Sequence, residues 1–184
     1  IRDSSPSRGL EMCIRDSSIG GDLEFQSEFN GNKLTYGLDF SEVDTSRLRT
    51  TKTVGGSTSE AKDTPDTKIT RLGAYLQDEV SLGKFDFIAG IRFDNYDLDA
   101  KGDSLVSESV AKDLSADELT PKIAATYNFT DKFTGYTSYS KGFRAPAYYE
   151  VNANFSNPRF GYTTISNPNL KPETSDSYEV GIRG

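Results

Sequence analysis

Two short proline-containing motifs enclose the segment of the chain whose residue types best suit ligand binding. The first, Phe-Arg-Ala-Pro, occupies residues 143–146, and the second, Asn-Pro-Asn-Leu, occupies residues 167–170. Residues 147–166 between them are rich in Asn, Tyr, Phe and Ser and have no helical period. A loop of this length in an ordered protein is usually functional or disordered, and proline near both ends restricts the backbone. We therefore predict an ordered binding loop.

The candidate binding residues lie in the two motifs and among the tyrosines between them. Arg144 and the turn of the second motif would shape a loop that faces a ligand. The same residues could instead anchor the loop to the rest of the protein, with the prolines fixing φ, and both roles can hold together. Tyrosine supplies contact area in binding loops. The candidates are Phe143, Arg144, Pro146, Tyr148, Tyr149, Tyr162, Asn167, Pro168, Asn169 and Leu170.

Other kinds of chemistry have few candidate groups in this chain. It contains no His, and Cys13 is its single cysteine, so Ser–His and Cys–His nucleophile pairs cannot form within it. Residues 97–103 with Glu108 nearly match a calcium-binding loop, but Lys101 stands at the fifth position, where an oxygen ligand is required. We interpret this run as a solvated acidic loop. The net charge of -7 argues against a nucleic-acid partner, and we predict no catalytic residue, metal site or cofactor.

Strands with one apolar and one polar face are predicted to position the binding loop. Apolar residues alternate with polar ones along most of these segments, which is the period of a half-exposed strand. Asn30-Gly31 and Gly83-Lys84 are predicted to make tight turns. The segment 133–143 alternates poorly, because Tyr136 and Tyr139 have opposite parity, so its facing is left open. The predicted strands are 23–29, 34–44, 70–82, 85–94, 119–127, 133–143 and a seventh from 177 to the chain end.

The connections between these strands alternate strictly in length. Short connections are predicted at 30–33, 83–84 and 128–132, and long ones at 45–68, 99–118 and 144–174. Outer-membrane barrels have short turns on one side and long loops on the other, because every second connection lies on the same side.

Composition agrees with a barrel wall better than with a soluble core. Only 34% of the residues are hydrophobic and the mean hydropathy is -0.59, which suits a thin apolar outer band around a wet interior. No apolar run reaches the ~18 residues that a membrane-spanning helix needs.

The two motifs also resemble a known family. Phe143-Arg144-Ala145-Pro146 followed by Asn167-Pro168-Asn169-Leu170 resembles the motif pair of TonB-dependent outer-membrane receptors, especially those for haem and haemoglobin. The resemblance extends from about Leu23 to Gly184. It includes the segments Tyr75–Glu79, Gly90–Asp94, Leu119–Lys122 and Tyr178–Gly181.

This resemblance implies a fold and a function. The fold would be all-β, an antiparallel up-and-down meander of about seven strands that is a partial segment, residues 19–184, of a large transmembrane β-barrel without its plug. The function would be uptake of an iron-bearing ligand, with haem or a haemoprotein favoured and a ferric siderophore next. The implied partners are outer-membrane lipid and the TonB complex, reached through a plug region outside this segment. The implied location is the outer membrane of a Gram-negative bacterium.

The resemblance does not identify which residue would ligate the haem iron. Haem receptors of this kind place a His between the two motifs, whereas this chain has none. Tyrosine ligates haem iron in some proteins, which makes Tyr148, Tyr149 and Tyr162 alternative ligands. Tyrosine also serves as an anchor at the rim of a barrel.

Two other functions share part of the pattern. A passive porin would keep the alternation of loop length but would lack the two motifs. A soluble β-rich surface adhesin would have to bury its apolar rows, Leu72 to Leu82 and Phe85 to Phe93, against another sheet.

Residues 1–18 are predicted not to belong to the native protein. The sequence Ile-Arg-Asp-Ser-Ser occurs at 1–5 and again at 14–18, and residues 12–17 resemble a translated adaptor sequence. We therefore exclude this segment from the fold prediction.

Overall fold

The computed structural model describes residues 9–53, 55–153, 155–157 and 160–184, and most of them lie in β-strands. Between the last two long strands lie a four-residue helix and two very short strands. No helix within these ranges is long and apolar enough to cross a membrane. In chain order the elements are β1 (Gly9–Phe29), β2 (Asn32–Lys52), β3 (Thr58–Ala61), β4 (Asp66–Leu82), β5 (Phe85–Lys101), β6 (Leu114–Asn128), β7 (Thr134–Arg144), α1 (Tyr148–Val151), β8 (Ser156–Asn157), β9 (Tyr162–Thr163) and β10 (Glu173–Arg183).

The long strands form one antiparallel meander. Their order in the sheet is β1-β2-β4-β5-β6-β7-β10, with β3 paired to the end of β2, while β8 and β9 make a separate hairpin. Successive long strands are therefore neighbours, as short connections require. This confirms the predicted all-β up-and-down meander.

The tight turns form where the sequence predicts them. Asn30 and Gly31 have φ values of 49° and 82°, as a two-residue hairpin turn with both central residues in the left-handed region requires. Gly83, with φ of 65°, turns the chain between β4 and β5. The third short connection begins after Asn128 and ends before Thr134.

One face of the sheet carries the apolar rows and is open to its surroundings. Cross-strand pairing places Leu38, Ala74, Phe93 and Leu119 side by side on this outer face. Within the described ranges, no second layer of chain covers the face. The exposed fractions of outer-face side chains there are 46% for Leu76, 39% for Phe87 and 56% for Ile123.

Aromatic residues of the outer face gather near the short turns. The rings of Phe85 and Tyr127 lie 4.5 Å apart, and Phe129 packs edge-on against Tyr127 at 4.9 Å. Phe25 and Tyr36 stack at 5.5 Å across the first hairpin. Such aromatic girdles mark the two edges of the apolar band in membrane barrels.

The opposite, inner face is polar and held by charged hydrogen bonds. Arg92 donates from both terminal nitrogens to Asp39, at 2.8 and 3.0 Å, and also pairs with Asp94 at 2.7 Å. Tyr75 donates its hydroxyl hydrogen to Glu24 at 2.8 Å. These contacts tie four neighbouring strands together on the face that an aqueous interior would contact.

The strands extend further into the polar segments than predicted. β2 continues to Lys52 and β4 begins at Asp66, so much of the predicted loop 45–68 is strand. β5 likewise reaches Lys101 and β6 begins at Leu114. The β2 extension has little apolar alternation, because both of its faces can be polar beyond the apolar band, where backbone pairing forms the ladder. In the β5 extension Tyr96, Leu98 and Ala100 do alternate with polar residues, but on the inner face, where they are buried.

The facing of the poorly alternating segment is settled by its pairing. Tyr139 stands opposite Ile123 and Tyr136 opposite Thr126. Tyr139 therefore shares the outer face with Ile123, and Tyr136 lies on the inner face.

Part of the segment excluded from the fold prediction lies in the first strand. Residues 9–18 continue β1 in unbroken register with residues 43–52 of β2. Met12 and Ile14 occupy even positions, whereas Ile19, Leu23 and Phe25 occupy odd ones, so the apolar residues change face along this strand. The non-native origin of residues 1–18 remains a prediction, and residues 1–8 lie outside the described ranges.

We expect charge on the outer face to be far costlier than charge on the inner face. Leu76→Arg should destabilise the protein in a bilayer by about 2–4 kcal/mol if the outer face contacts hydrocarbon. Gln77→Arg, one residue along on the inner face beside Glu79, is the matched control and should change stability little. Urea unfolding of the intact protein in liposomes measures both, and equal effects would contradict the assignment of faces.

Candidate functional site

The long connections fold inward over the inner face at one end of the sheet. There Ile69, Tyr96, Leu98 and Ala100 are buried, with exposed fractions of 7% or less. Residues from the connections and from the start of β6 cover them, namely Ala111, Leu114, Ala145 and Tyr148. This small core holds the candidate binding loop over the inner face of the sheet.

The first motif is attached on both sides. The Pro146 carbonyl accepts a hydrogen bond of 3.1 Å from the buried hydroxyl of Tyr96. Arg144, half exposed at the end of β7, pairs with Glu150 at 2.9 Å and with Glu173 at 3.0 Å. Arg144 thus links both edges of the loop, while the Phe143 backbone belongs to β7.

A short helix begins directly after the first motif, where the sequence shows no helical period. Glu150 accepts a hydrogen bond of 2.7 Å from the backbone N–H of Ala147. This bond, followed by the ion pair with Arg144, holds the pKa of Glu150 below its ordinary value. A carboxylate in the first turn also complements the dipole of a helix.

The three candidate tyrosines have different surroundings. Tyr148 packs on the small core, and burial raises the pKa of its phenol, an effect that the nearby Arg47 opposes. Tyr149 is 50% exposed and stands edge-on to Tyr148 at 5.5 Å. Tyr162 is 49% exposed on β9, with its ring 5.9 Å from that of Phe155. Tyr149 and Tyr162 therefore offer accessible surface, whereas Tyr148 mainly packs.

The second motif closes the loop against the helix. The backbone N–H of Asn167 donates to the Val151 carbonyl at 2.8 Å, and the N–H of Asn169 donates to the Asn167 side chain at 3.2 Å. The second motif is therefore attached to the helix that follows the first motif, with Pro168 exposed and Leu170 half-buried.

Asn152 joins this loop to the preceding long connection. Its side chain is fully buried, accepts a hydrogen bond from the Lys112 N–H at 2.7 Å and donates one to the Lys112 carbonyl at 2.8 Å. Nearby, the Ser166 hydroxyl donates to the Val110 carbonyl at 2.9 Å. The two connections consequently form one packed unit.

A lysine bridge links the first two long connections. The Lys62 ammonium, on a side chain only 8% exposed, lies 2.7 Å from Asp66 and 2.6 Å from Asp103. Asp103 also accepts the N–H groups of Leu105 and Val106. The carboxylate of the acidic run is thus used to order its own loop, and no cluster suited to a metal ion occurs among the residues described.

Two arginines of β2 reach the same loop from the inner face. The Arg47 guanidinium lies 5.1 Å from the ring centre of Tyr148, and that of Arg49 lies 5.4 Å from Phe155. Arg49 also pairs with Asp63 at 3.0 Å. Both contacts have cation–π geometry.

Several residues of the site could not be identified from the two motifs. Asn152, Arg47 and Tyr96 lie outside both motifs, and their partners are distant in the chain. For Arg47, the sequence offers one indication, since its two-residue spacing from Arg49 on a strand places both side chains on the same face.

Comparison with known proteins gives consistent matches. Residues 3–184 match the profile described as TonB dependent receptor-like, beta-barrel. The chain is 30% identical to a "Hemin receptor" of Yersinia enterocolitica over 98% of its length, and 33% identical to a "Hemin receptor" of Yersinia pestis over 81%. It spans 26% and 21% of those relatives.

A solved structure shows the same fold. The chain superposes on a structure titled "Copper transporter OprC" with a TM-score of 0.75, at 15% identity, covering 94% of this chain and 28% of that one.

We expect the Asn152 clamp to control how firmly the loop is docked. Asn152→Ala would leave the N–H and carbonyl of Lys112 buried without partners and should weaken docking by about 1–3 kcal/mol. Hydrogen exchange of residues 147–153 would report the loss. Asn169→Ala, at an exposed side chain, is the control, and unchanged exchange in Asn152→Ala would contradict the role of the clamp.

The attachment of α1 should depend on pH through Glu150. The folded-state pKa of the Glu150 carboxyl is lowered. Its contribution to the stability of the attachment is therefore fully present above its ordinary pKa of about 4.3 and is lost as the pH falls through the folded-state pKa. With Cys13 replaced by Ser, a spin label at Tyr149→Cys should be immobile at neutral pH and become mobile in acid. The same label with Glu150→Gln should be mobile at both, and an unchanged acid transition in that variant would exclude Glu150.

Proposed function

The chain belongs to the TonB-dependent receptor-like β-barrel family, and we propose that it is the wall and loop segment of a Gram-negative outer-membrane receptor that takes up an iron-bearing ligand. Receptors of this kind bind a scarce nutrient at the cell surface and import it by energy-coupled transport. The energy would reach the receptor from the inner membrane through the TonB complex, acting on a plug region outside this segment.

One observation carries the proposal: the loops are packed over the polar inner face of the sheet while the apolar outer face is left open. Tyr148 and Ala145 contact the inner-face core, whereas Leu76 and Ile123 remain about half exposed on the other side. This arrangement suits a wall between lipid and a wet interior. The loops then lie where a ligand would enter.

Haem or a haemoprotein is the favoured ligand. Two relatives at 30% identity or above are named hemin receptors, and the two motifs resemble those of haem receptors. Because the chain contains no His, a histidine ligand to haem iron would have to come from elsewhere in the receptor. A ferric siderophore is the next candidate, since receptors with siderophore names share the fold.

The candidate loop residues would act in three groups. Arg144, Pro146, Asn167 and Pro168 would fix the base of the loop. Tyr149 and Tyr162, with about half of each side chain accessible, would contact the ligand. Phe143, Tyr148, Asn169 and Leu170 would support this arrangement.

Growth on defined iron sources tests the proposed function. A host whose own haem receptors are deleted, carrying the intact receptor, should grow with haemin as sole iron source, and should stop growing when TonB is removed. Growth with a ferric siderophore and not with haemin would indicate that the ligand is a ferric siderophore. Haemin growth that persists without TonB would indicate a passive porin.

A further inference from the structure

Arg47 stands on the inner face beneath the candidate binding loop and forms no salt bridge with the residues that the structure describes. Within the described ranges, no carboxylate oxygen lies within 4.0 Å of its guanidinium, unlike the pairs formed by Arg49, Arg92 and Arg144. Its Nε is buried and has no hydrogen-bond acceptor. An arginine stays charged at any ordinary pH, so among the described residues this guanidinium has no carboxylate within salt-bridge distance and its Nε has no acceptor.

The neighbouring arginine shows that the local fold can supply such a partner. Arg49 follows on the same face of β2, contacts an aromatic ring of the same loop in a similar way and is paired with Asp63 at 3.0 Å. Arg47 therefore differs from Arg49 in lacking a carboxylate while sharing its strand, face and ring contact. Asp16, the carboxylate whose charge acts on Tyr148, belongs to the segment predicted to be non-native.

Flat aromatic surface adjoins Arg47. Its guanidinium lies against the Tyr148 ring at 5.1 Å, and the Tyr148 ring in turn lies 5.5 Å from that of Tyr149. Tyr149 is half exposed. A cation followed by an accessible ring suits a planar molecule that carries an acidic group at its edge, since the guanidinium fork matches a carboxylate in two hydrogen bonds and rings stack on flat apolar faces.

We propose that Arg47 binds a carboxylate of the ligand and that Tyr149 provides contact surface for its planar part. The inference rests on the proposed function and narrows it, because it selects a carboxylate-bearing planar ligand such as a porphyrin. Arg47 then contributes to specificity as well as affinity, since a ligand without a free acid leaves the arginine unpaired.

Absorbance titration of the intact receptor in detergent tests this inference with two probes, ferric haem and its dimethyl ester. The ester keeps the ring and the iron but lacks both free acids. Wild type should bind haem at least about tenfold more tightly than the ester. Arg47→Gln should bind haem about tenfold more weakly than wild type does, while its affinity for the ester should be unchanged. Arg183→Gln is the control, because this arginine also lies over a tyrosine ring, that of Tyr136, but stands away from the loop, and it should bind haem within about twofold of wild type.

The outcomes separate the two proposals. Equal haem affinity of wild type and Arg47→Gln, or equal affinity of wild type for haem and ester, would overturn the role of Arg47 while leaving haem uptake intact. Failure of wild type to bind either probe would instead overturn haem as the ligand. Arg47→Lys keeps the charge without the fork, and partial recovery of haem affinity in it would support direct pairing. Heat-dependent mobility in gels checks that each variant is folded.

Discussion

Strict alternation of side chains along paired strands is the constraint on which this structure depends. Because successive residues face opposite sides, a continuous register across the long strands separates an apolar outer face from a polar inner face in the part of the sheet near the short turns. Backbone hydrogen bonds run between neighbouring strands, which is how a sheet satisfies its polar backbone in hydrocarbon, where water is absent. The charged network around Arg92 can then occupy the inner face without being exposed to lipid.

The small core is a consequence of the same constraint. A single sheet cannot bury its outer face against itself, so the buried apolar residues collect where the connections fold back over the inner face. Packing at this end depends on a few polar clamps, including Asn152 on Lys112 and Lys62 between Asp66 and Asp103. The connections are consequently held by specific hydrogen bonds as well as by buried apolar side chains such as Val106 and Val151.

The sequence predicts features that repeat along the chain. It does not predict features that depend on contacts between residues far apart in the sequence. The turn at Asn30-Gly31 and the faces of Leu76 and Ile123 follow from local geometry and period, and the structure agrees. The extension of β2 to Lys52 could not be predicted, since polar residues on both faces give no period. The Asn152 clamp and the hydrogen bond from Tyr96 to Pro146 join residues 40 and 50 positions apart, and a motif search does not detect such pairs.

Anchoring and ligand contact, the two roles open for the motif residues, are compatible because they fall on different parts of the loop. Residues near its base are bound to strands and to the neighbouring connection, as Arg144 and Asn167 are. Side chains further along are open, and Phe160 and Ile165 are 73% and 78% exposed. A ligand that meets such a loop orders few additional residues, so less conformational entropy is lost on binding. A firmly attached base therefore favours the proposed ligand contact at the exposed part of the loop, and the two proposed roles are compatible.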